Sequence, residues 1–219
     1  MRAWDNVDMA SEWLELHPID PQRRWLQRAA DRVRQGAVIA YPTDSCYAFG
    51  CRLGDKDAAE RIRGLREFDR KHQFTLVCRD LSEIATYARV DNWQYRLLKQ
   101  LTPGPYTFVL EATKELPRRV QHEKRKTIGI RVPEHKVTQT LLELIGEPLL
   151  SCTLQWPDEE QPLNDLEDDR ARLERSVDLV LDAGSCGYEP TTVLDLTGDA
   201  PLLLRQGKGD VSMLGLAEG

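Results

Sequence analysis

The stretch Val38-Ile-Ala-Tyr-Pro-Thr-Asp-Ser-Cys-Tyr-Ala-Phe-Gly50 decides the fold of this chain. Its first residues are apolar and β-branched, which indicates a buried strand over residues 37–41. Pro42 cannot continue a sheet ladder, so the strand ends there and leads into a polar loop. The loop brings two hydroxyls, a carboxylate and the phenol of Tyr47 to one strand end. Ligands of open α/β sheets bind outside strand ends, so this loop is the first candidate site. The alternative is an Asx or ST turn whose side chains bond their own backbone.

The composition is typical of a single globular domain. With 219 residues, of which 41% are hydrophobic, the chain is long enough to bury a core. No apolar stretch is long enough to span a bilayer. The acidic N-terminus lacks the apolar centre of a signal peptide, so we expect a cytoplasmic protein. The cysteines are odd in number and show no CxxC or zinc-type spacing, which argues against a disulfide framework or structural zinc. They are Cys46, Cys51, Cys78, Cys152 and Cys186.

Positive charge is concentrated in the first part of the chain. Residues 1–135 hold 24 lysine and arginine residues against 19 acidic residues, whereas residues 136–219 hold 6 against 17. This asymmetry predicts a surface that faces a polyanion such as RNA. Solvated helix faces are the alternative explanation, and the chain has no aromatic platform of an RNA-binding module. The candidate RNA-binding residues are Arg63, Arg70, Lys71, Lys124, Arg125 and Lys126.

Helical and strand patterns alternate along the chain. Helices are predicted near residues 20–35, 56–65, 81–87, 92–101, 137–145 and 166–175, and strands near 37–41, 74–78, 106–111, 127–132, 148–153, 177–181, 192–196 and 202–204. Strands outnumber helices after residue 105, which favours a mixed sheet over a wholly parallel one. We therefore predict a mixed α/β fold of the α+β type, with one domain over residues 20–212. Residues 1–19 are expected to form an extension, as a short docking helix or a poorly ordered tail, and residues 213–219 a C-terminal tail.

Binding is better supported than covalent catalysis by the remaining patterns. The chain contains no GxxxxGK[ST] or GxGxxG phosphate loop and no Ser-His-Asp or Cys-His arrangement, and no metal ligands are predicted. The turn at residues 184–187, followed by Thr191 and Thr192, could offer N–H groups to an anion, or could be a plain capped turn. Arg131 and Arg205 end apolar strands, which suggests an anion clamp because a guanidinium fork matches carboxylate or phosphate oxygens. Structural salt bridges are the alternative.

Several motifs together resemble the YrdC/YciO family over residues 20–212. They are Tyr41-Pro-Thr-Asp-Ser-Cys-Tyr47, Thr102-Pro-Gly-Pro-Tyr-Thr107, Ile128-Gly-Ile-Arg-Val-Pro133, Pro190-Thr-Thr-Val-Leu-Asp195 and Leu204-Arg-Gln-Gly207. Two further segments, Phe74-Thr-Leu-Val-Cys-Arg-Asp-Leu81 and Glu123-Lys-Arg-Lys-Thr-Ile-Gly129, resemble the YciO branch. The resemblance implies a twisted mixed sheet with flanking helices and a basic concave face suited to double-stranded RNA, tRNA or a nucleotide.

The better understood branch of that family makes threonylcarbamoyl-adenylate from threonine, bicarbonate and ATP, for the modification of tRNA. The resemblance implies ATP with Mg²⁺, threonine and bicarbonate as ligands, with Mg²⁺ held mainly by ATP oxygens. It also implies that the cleft is lined by a set of hydroxyl, phenol and arginine side chains, whereas the catalytic residues stay unassigned. The set comprises Thr43, Tyr47, Arg66, Arg131, Ser151, Thr153, Thr191, Thr192 and Arg205.

This chain departs from the synthase pattern at two places. The family's Lys-x-Arg pair, which holds ATP phosphates, corresponds to Arg66-Glu67-Phe68, and its Ser-x-Asn triplet corresponds to Thr153-Leu154-Gln155. Phe68 removes a phosphate-binding fork, and losing one charge-assisted contact costs about 1.5–3 kcal/mol. We therefore expect nucleotide or RNA binding with at most weak synthase activity. The alternatives are a full synthase, in which Arg63, Arg70 or Lys71 replaces the lost contact, and a non-catalytic RNA-binding protein.

Overall fold

Ten strands form one mixed sheet in the part of the chain that the computed structural model describes, residues 11–68 and 74–214. The strands are Glu12–Glu15 (β1), Ile39–Tyr41 (β2), Ala48–Arg52 (β3), Thr75–Val77 (β4), Tyr106–Glu111 (β5), Thr127–Arg131 (β6), Leu149–Thr153 (β7), Leu179–Asp182 (β8), Thr192–Asp195 (β9) and Leu202–Arg205 (β10). Their order across the sheet is β1-β8-β2-β3-β7-β4-β6-β5-β9-β10. Four of the neighbouring pairs, β1–β8, β2–β8, β4–β6 and β5–β9, are parallel, and the others are antiparallel.

Six α-helices flank this sheet. They are Arg23–Arg34 (α1), Lys56–Leu65 (α2), Leu81–Tyr87 (α3), Asn92–Leu101 (α4), Lys136–Ile145 (α5) and Arg170–Ser176 (α6), with 3-10 turns at Arg118–Val120, Glu167–Asp169 and Ser212–Leu214. Side chains cap two of the helix starts. Asp55 accepts a hydrogen bond from the backbone N–H of Ala58 (3.0 Å), and Asp80 accepts one from Glu83 (2.9 Å). These bonds satisfy donors that the first turn of a helix leaves unpaired.

The two faces of the sheet carry separate apolar clusters. On one face, α1 and α5 pack over β1, β2 and β8, burying Leu26, Val33 and Leu141. On the other face, helices α2, α3, α4 and α6 pack on the central strands through Ile62, Ile84, Leu98 and Leu173 among others. Side chains alternate between the faces along each strand. Leu76, Phe108 and Ile130 therefore point into the second cluster, while their neighbours along each strand point to the face that carries α1 and α5.

The predicted mixed α/β fold is confirmed, with three local differences. In the N-terminal segment, both alternatives, the docking helix and the poorly ordered tail, are wrong for residues 12–15, which form β1 and pair in parallel with β8. The first helix begins at Arg23 rather than at residue 20, because Nδ1 of His17 accepts hydrogen bonds from the backbone of Ile19 and Asp20 and holds a turn there. Strand β3, which returns antiparallel beside β2, has no counterpart among the predicted strands.

Candidate ligand-binding cavity

The loop after β2 is organised by its own side chains. The hydroxyl of Thr43 donates to the carbonyl of Cys46 (2.6 Å) and accepts from the backbone N–H of Ser45 (3.2 Å). Thr43 is buried, at 2% exposure. These bonds are those of an ST turn. The alternative of an ST turn is therefore the correct one for Thr43. Its hydroxyl stabilises the loop and does not line the cavity described below.

The phenol of Tyr47 is also committed to the fold. It donates to the carbonyl of Gly184 (2.7 Å) and accepts from the backbone N–H of Ala183 (3.0 Å). Burial raises the pKa of this phenol well above its ordinary value. Tyr47 thus ties the polar loop to the turn at residues 184–187, and its hydroxyl is not offered to a ligand.

Arg131 forms an ion pair inside the protein. Its guanidinium contacts the carboxylate of Asp44 and donates to the hydroxyl of Ser45 (3.2 Å), and Asp44 also accepts from the backbone N–H of Glu134 (2.9 Å). Only 10% of the Arg131 side chain and 9% of the Asp44 side chain are exposed. Of the two arginines expected to form an anion clamp, Arg131 therefore follows the salt-bridge alternative, because its charge is neutralised by a neighbouring loop.

A cavity of about 700 Å³ lies over the central strands. Its floor is formed by alternate residues of β4, β5 and β9 with their flanks, namely Thr75, Val77, Thr107, Val109, Thr191 and Val193. Gly129 of β6 keeps this floor low: a Cβ atom there would lie 3.3 Å from Cγ2 of Thr107 and 3.6 Å from Oγ1 of Thr75. The volume falls in the range of small-molecule and cofactor sites.

The hydroxyls around this cavity differ in how far they are already bonded. Ser151 donates to the carbonyl of Phe49 (2.8 Å) and lies 2.7 Å from the phenol oxygen of Tyr41, so its bonding capacity is used. Thr107 and Thr191 lie 2.8 Å apart through their hydroxyls, which leaves acceptor capacity on the pair. Thr192 is buried and does not line the cavity, and its hydroxyl donates to the carbonyl of Gly209 (2.7 Å).

Two arginines line the cavity without a carboxylate partner among the described residues. Arg66 follows the C-terminal end of α2, touches the thiol of Cys152, and has a buried Nε with no hydrogen-bond partner. Arg205 ends β10 and donates to the carbonyl of Thr191 from Nη2 (2.9 Å) and Nε (3.2 Å). Burial lowers the pKa of both guanidinium groups, although arginine stays charged in proteins. Two partly buried cations facing one cavity form an anion-binding arrangement.

The cysteines beside the cavity are thiols rather than thiolates. Burial raises the pKa of Cys152 and of Cys186 to about 12, and it also raises the pKa of Cys46. The thiolate is the nucleophilic form. None of these three side chains is therefore poised for nucleophilic attack at neutral pH.

Loops from the second half of the chain form the outer wall. Glu160, Gln161 and Pro162 line one side of the cavity, and Tyr188 and Glu189 line another. The segment that precedes Glu160 is fastened to α6, where Arg172 forms two hydrogen bonds with the carboxylate of Asp158 (2.7 and 3.1 Å). Tyr188 is 55% exposed, which places an aromatic ring at the mouth.

Comparison with known proteins decides the family. The sequence model of Sua5, YciO and YrdC proteins, described as "Telomere recombination", matches residues 31–207. This chain belongs to the Sua5/YciO/YrdC family. The Escherichia coli K12 protein described as "Uncharacterized protein YciO" is 52% identical over 201 residues, 92% of this chain and 98% of its own length. A Haemophilus influenzae protein is 53% identical over 203 residues, 92% of this chain and 98% of its own length.

A solved structure and a more distant relative extend this comparison. The crystal structure of Escherichia coli YciO has a TM-score of 0.89 and 51% identity, and the match covers 93% of this chain and 99% of that one. A protein of Coxiella burnetii described as threonylcarbamoyl-AMP synthase is 28% identical over 185 residues, 83% of this chain and 98% of its own length. The chain is thus much more similar to YciO proteins than to this synthase.

Phe68 and Gln155, which the resemblance implies are departures from the synthase pattern, each contact a neighbouring part of the cavity. The ring of Phe68 lies under the guanidinium of Arg66, 4.7 Å from its central carbon, and so brings no charge to the cavity. The amide of Gln155 donates to the carbonyls of Glu159 (3.0 Å) and Glu160 (3.1 Å). Gln155 therefore holds in place the side of the cavity formed by residues 160–162, the acidic wall.

The four predicted RNA-binding residues that the structure describes do not line this cavity. Arg63 lies 3.6 Å from Glu60 and stacks on the ring of Phe74. The cluster at residues 124–126 precedes β6, whereas the cavity residue Arg131 ends that strand, and Arg125 is paired with Asp195 (3.6 Å). The remaining two candidates, Arg70 and Lys71, lie outside the described residues.

Neither a metal-binding cluster nor a membrane-spanning helix occurs in the part of the chain that the structure describes. Within residues 11–68 and 74–214, no group of three or more histidine, cysteine or acidic side chains is placed to hold a metal ion. Over the same ranges, no helix combines the length and apolar character that crossing a membrane requires.

Seven of the nine predicted site residues line the cavity, namely Tyr47, Arg66, Arg131, Ser151, Thr153, Thr191 and Arg205. Sequence reasoning missed Thr75 and Thr107, the ring of Tyr188, and the carboxylates of Glu160 and Glu189. A signal for the two threonines was present, since polar residues at alternating positions inside otherwise apolar strands indicate a strand face that is not packed. The wall residues come from loops, and their sequence carried no such signal.

Proposed function

We propose that the cavity binds a nucleotide and that any threonylcarbamoyl-AMP synthase activity is weak. The observation that carries this proposal is the pair Arg66 and Arg205, which line one cavity of about 700 Å³ and have no carboxylate partner among the described residues. Uncompensated, partly buried guanidinium groups favour an anion with phosphate-like geometry. The relationship to a described threonylcarbamoyl-AMP synthase supports a nucleotide as that anion.

The expected pose follows from the charges and rings of the lining. The phosphate lies between the two guanidinium groups, near the hydroxyls of Thr191 and Thr153. The base lies at the mouth, where the exposed ring of Tyr188 supplies a stacking platform. Mg²⁺, when present, would be held by phosphate oxygens, in keeping with the small number of protein ligands this ion usually takes.

Weak synthase activity follows from the same lining. Phe68 stands where the resemblance places a second phosphate-binding cation, and Gln155 is engaged with the backbone of the acidic wall. At these two positions, therefore, the described residues supply no contact that would hold the leaving pyrophosphate. Loss of one such contact lowers turnover by about an order of magnitude or more.

The test is calorimetric titration of the purified protein with AMP and ATP. The variants are Arg66→Ala, Arg205→Ala and Arg205→Lys. The matched control is Arg52→Ala, which removes an arginine paired with Glu147 at the opposite end of β3 from the cavity. Each cavity variant should weaken binding at least about tenfold, Arg205→Lys should weaken it less, and the control should match the wild type. Unchanged affinity in both alanine variants would refute the proposal.

A product assay tests the statement about catalysis. Protein, ATP, Mg²⁺, threonine and bicarbonate are incubated together, and threonine-dependent pyrophosphate and threonylcarbamoyl-adenylate are measured. Slow formation, or none, is expected. Turnover at about 1 s⁻¹ or faster, which is ordinary for enzymes, would replace the weak-activity proposal with that of a full synthase.

A further inference from the structure

The cavity lining carries balanced charge. Among the described residues it includes three arginines, Arg66, Arg131 and Arg205, and two glutamates, Glu160 and Glu189. Arg131 is neutralised by Asp44 behind it. The other two cations share the lining with Glu160 and Glu189, which are exposed and form no ion pair with any residue that the structure describes. The lining thus offers two positive and two negative groups to a ligand.

The carboxylate of Glu160 lies on a wall that the fold holds in position. Gln155 binds the carbonyls of Glu159 and Glu160 through its amide, and the backbone N–H of Leu163 donates to Leu154 (2.9 Å) at the other end of the same turn. Asn164 continues this connection, because its side-chain oxygen accepts from the hydroxyl of Ser185 (2.7 Å) and from the backbone of Gly187. The acidic wall is therefore tied at both ends to elements that border the cavity.

We propose that this cavity selects nucleoside monophosphates over nucleoside triphosphates, and that Glu160 and Glu189 set that preference. The inference rests on the proposed nucleotide site. One phosphate monoester carries about two negative charges at neutral pH, which the guanidinium groups of Arg66 and Arg205 can match. Each further phosphate adds negative charge to a cavity whose remaining charged groups, among the residues that the structure describes, are carboxylates.

The side chain at position 68 reinforces this preference. A triphosphate extends beyond the first phosphate and needs additional cations along its length. On the α2 side of the cavity, the next lining residue after Arg66 is Phe68, whose ring stacks on that arginine. Glu160 belongs to the same lining. The outer phosphates would therefore meet an aromatic ring and an acidic wall.

The experiment is titration with AMP, ADP and ATP in EDTA, at low and at moderate salt. The variants are Glu160→Gln, Glu189→Gln and the double variant. The matched control is Asp199→Asn, which removes an exposed carboxylate from the turn between β9 and β10, at the opposite end of those strands from Thr191 and Arg205. A further variant, Gln155→Ala, releases the wall without changing charge.

The wild type should bind AMP about tenfold or more tightly than ATP, with ADP between them. Each Glu→Gln change should raise ATP affinity by about fivefold, as expected for partly screened charges near a ligand, and should change AMP affinity less. Gln155→Ala should also lower the ratio of AMP affinity to ATP affinity. Asp199→Asn should leave that ratio unchanged. The differences should shrink as salt increases.

Two results distinguish this inference from the proposal on which it rests. If neither AMP nor ATP binds, both the proposed nucleotide site and the selectivity inference are wrong. If ATP binds as tightly as AMP, or if the double variant leaves their ratio unchanged, the selectivity inference is wrong, while the nucleotide site stands.

Discussion

Replacing Asp44 by asparagine tests whether Arg131 belongs to the fold or to the ligand. The change keeps the shape of the side chain but removes the negative charge beside Arg131 and one of the two oxygens. The remaining oxygen can face the guanidinium, as Oδ1 does, but the bond that Oδ2 accepts from the backbone of Glu134 is then lost. Both side chains are about nine-tenths buried. Breaking a buried ion pair by removing one partner leaves an uncompensated charge in a poorly solvated place, which costs about 3–5 kcal/mol.

The lower end of that range applies here. Asparagine still offers an oxygen to the guanidinium, Ser45 remains 3.2 Å from Nη1, and the cavity beside Arg131 admits water. We expect the free energy of unfolding to fall by about 3 kcal/mol. For a chain of this length, each kcal/mol corresponds to about 2–4 °C in melting temperature, so a decrease of about 6–12 °C is expected.

Urea unfolding of Asp44→Asn, Arg131→Met and the double variant forms a double-mutant cycle. The double variant should lose less than the sum of the single variants, with a coupling energy of about 2 kcal/mol. The control is Glu147→Gln, which breaks the pair with Arg52, whose side chains are 28% and 47% exposed, and should change stability by less than about 1 kcal/mol. A loss below about 1 kcal/mol in Asp44→Asn would refute the assignment of Arg131 to the fold.

Three further predictions concern the mouth of the cavity, its floor and the response of the fold to pH. Tyr188→Ala should weaken AMP binding about tenfold, since base stacking contributes about 1–3 kcal/mol, whereas Tyr188→Phe should bind normally in the same titration. Gly129→Leu should abolish AMP binding with native circular dichroism, because its side chain would rise between Thr75 and Thr107; retained binding would show that the ligand lies elsewhere. Burial lowers the pKa of His135 in the folded protein. As the pH drops below about 6.5, the unfolded chain therefore binds a proton at His135 more readily than the folded protein does, and the free energy of unfolding falls. Between pH 7.0 and 5.5, the free energy of unfolding measured with urea should decrease less in His135→Gln than in the wild type. An equal decrease in both proteins would contradict the prediction.

Elements whose signals are local were predictable from the sequence. Helices α2, α3 and α4 and strand β5 occupy the predicted ranges, because caps, apolar spacing and alternation lie within each segment. Strand β1 was not predictable, since Glu12-Trp-Leu-Glu15 becomes a strand only by pairing with residues 179–182, far along the chain. Tertiary context of this kind commonly overrides local propensity.

For the cavity, too, local signals identified the lining residues, whereas the pairing of their charges depends on tertiary contacts. The hydroxyls and arginines that line the cavity were identified from strand ends and from the family resemblance. The sequence left open whether Arg131 or Arg205 was paired, because pairing depends on which loop reaches which strand end. Asp44 reaches Arg131 from a loop 87 residues earlier in the chain, whereas no described carboxylate reaches Arg205.

The strand order also determines when the sheet can fold during synthesis of the chain. Strand β8 lies between β1 and β2, β7 separates β3 from β4, and β9 completes the flank of β5. A nascent chain that has reached residue 145 holds the first six strands but lacks every strand that joins its two halves. Such long-range pairings are slow to form. The ligand cavity, which needs Thr191 and Arg205, can therefore form only when synthesis is nearly complete, and a bound nucleotide would report the finished chain rather than any fragment of it.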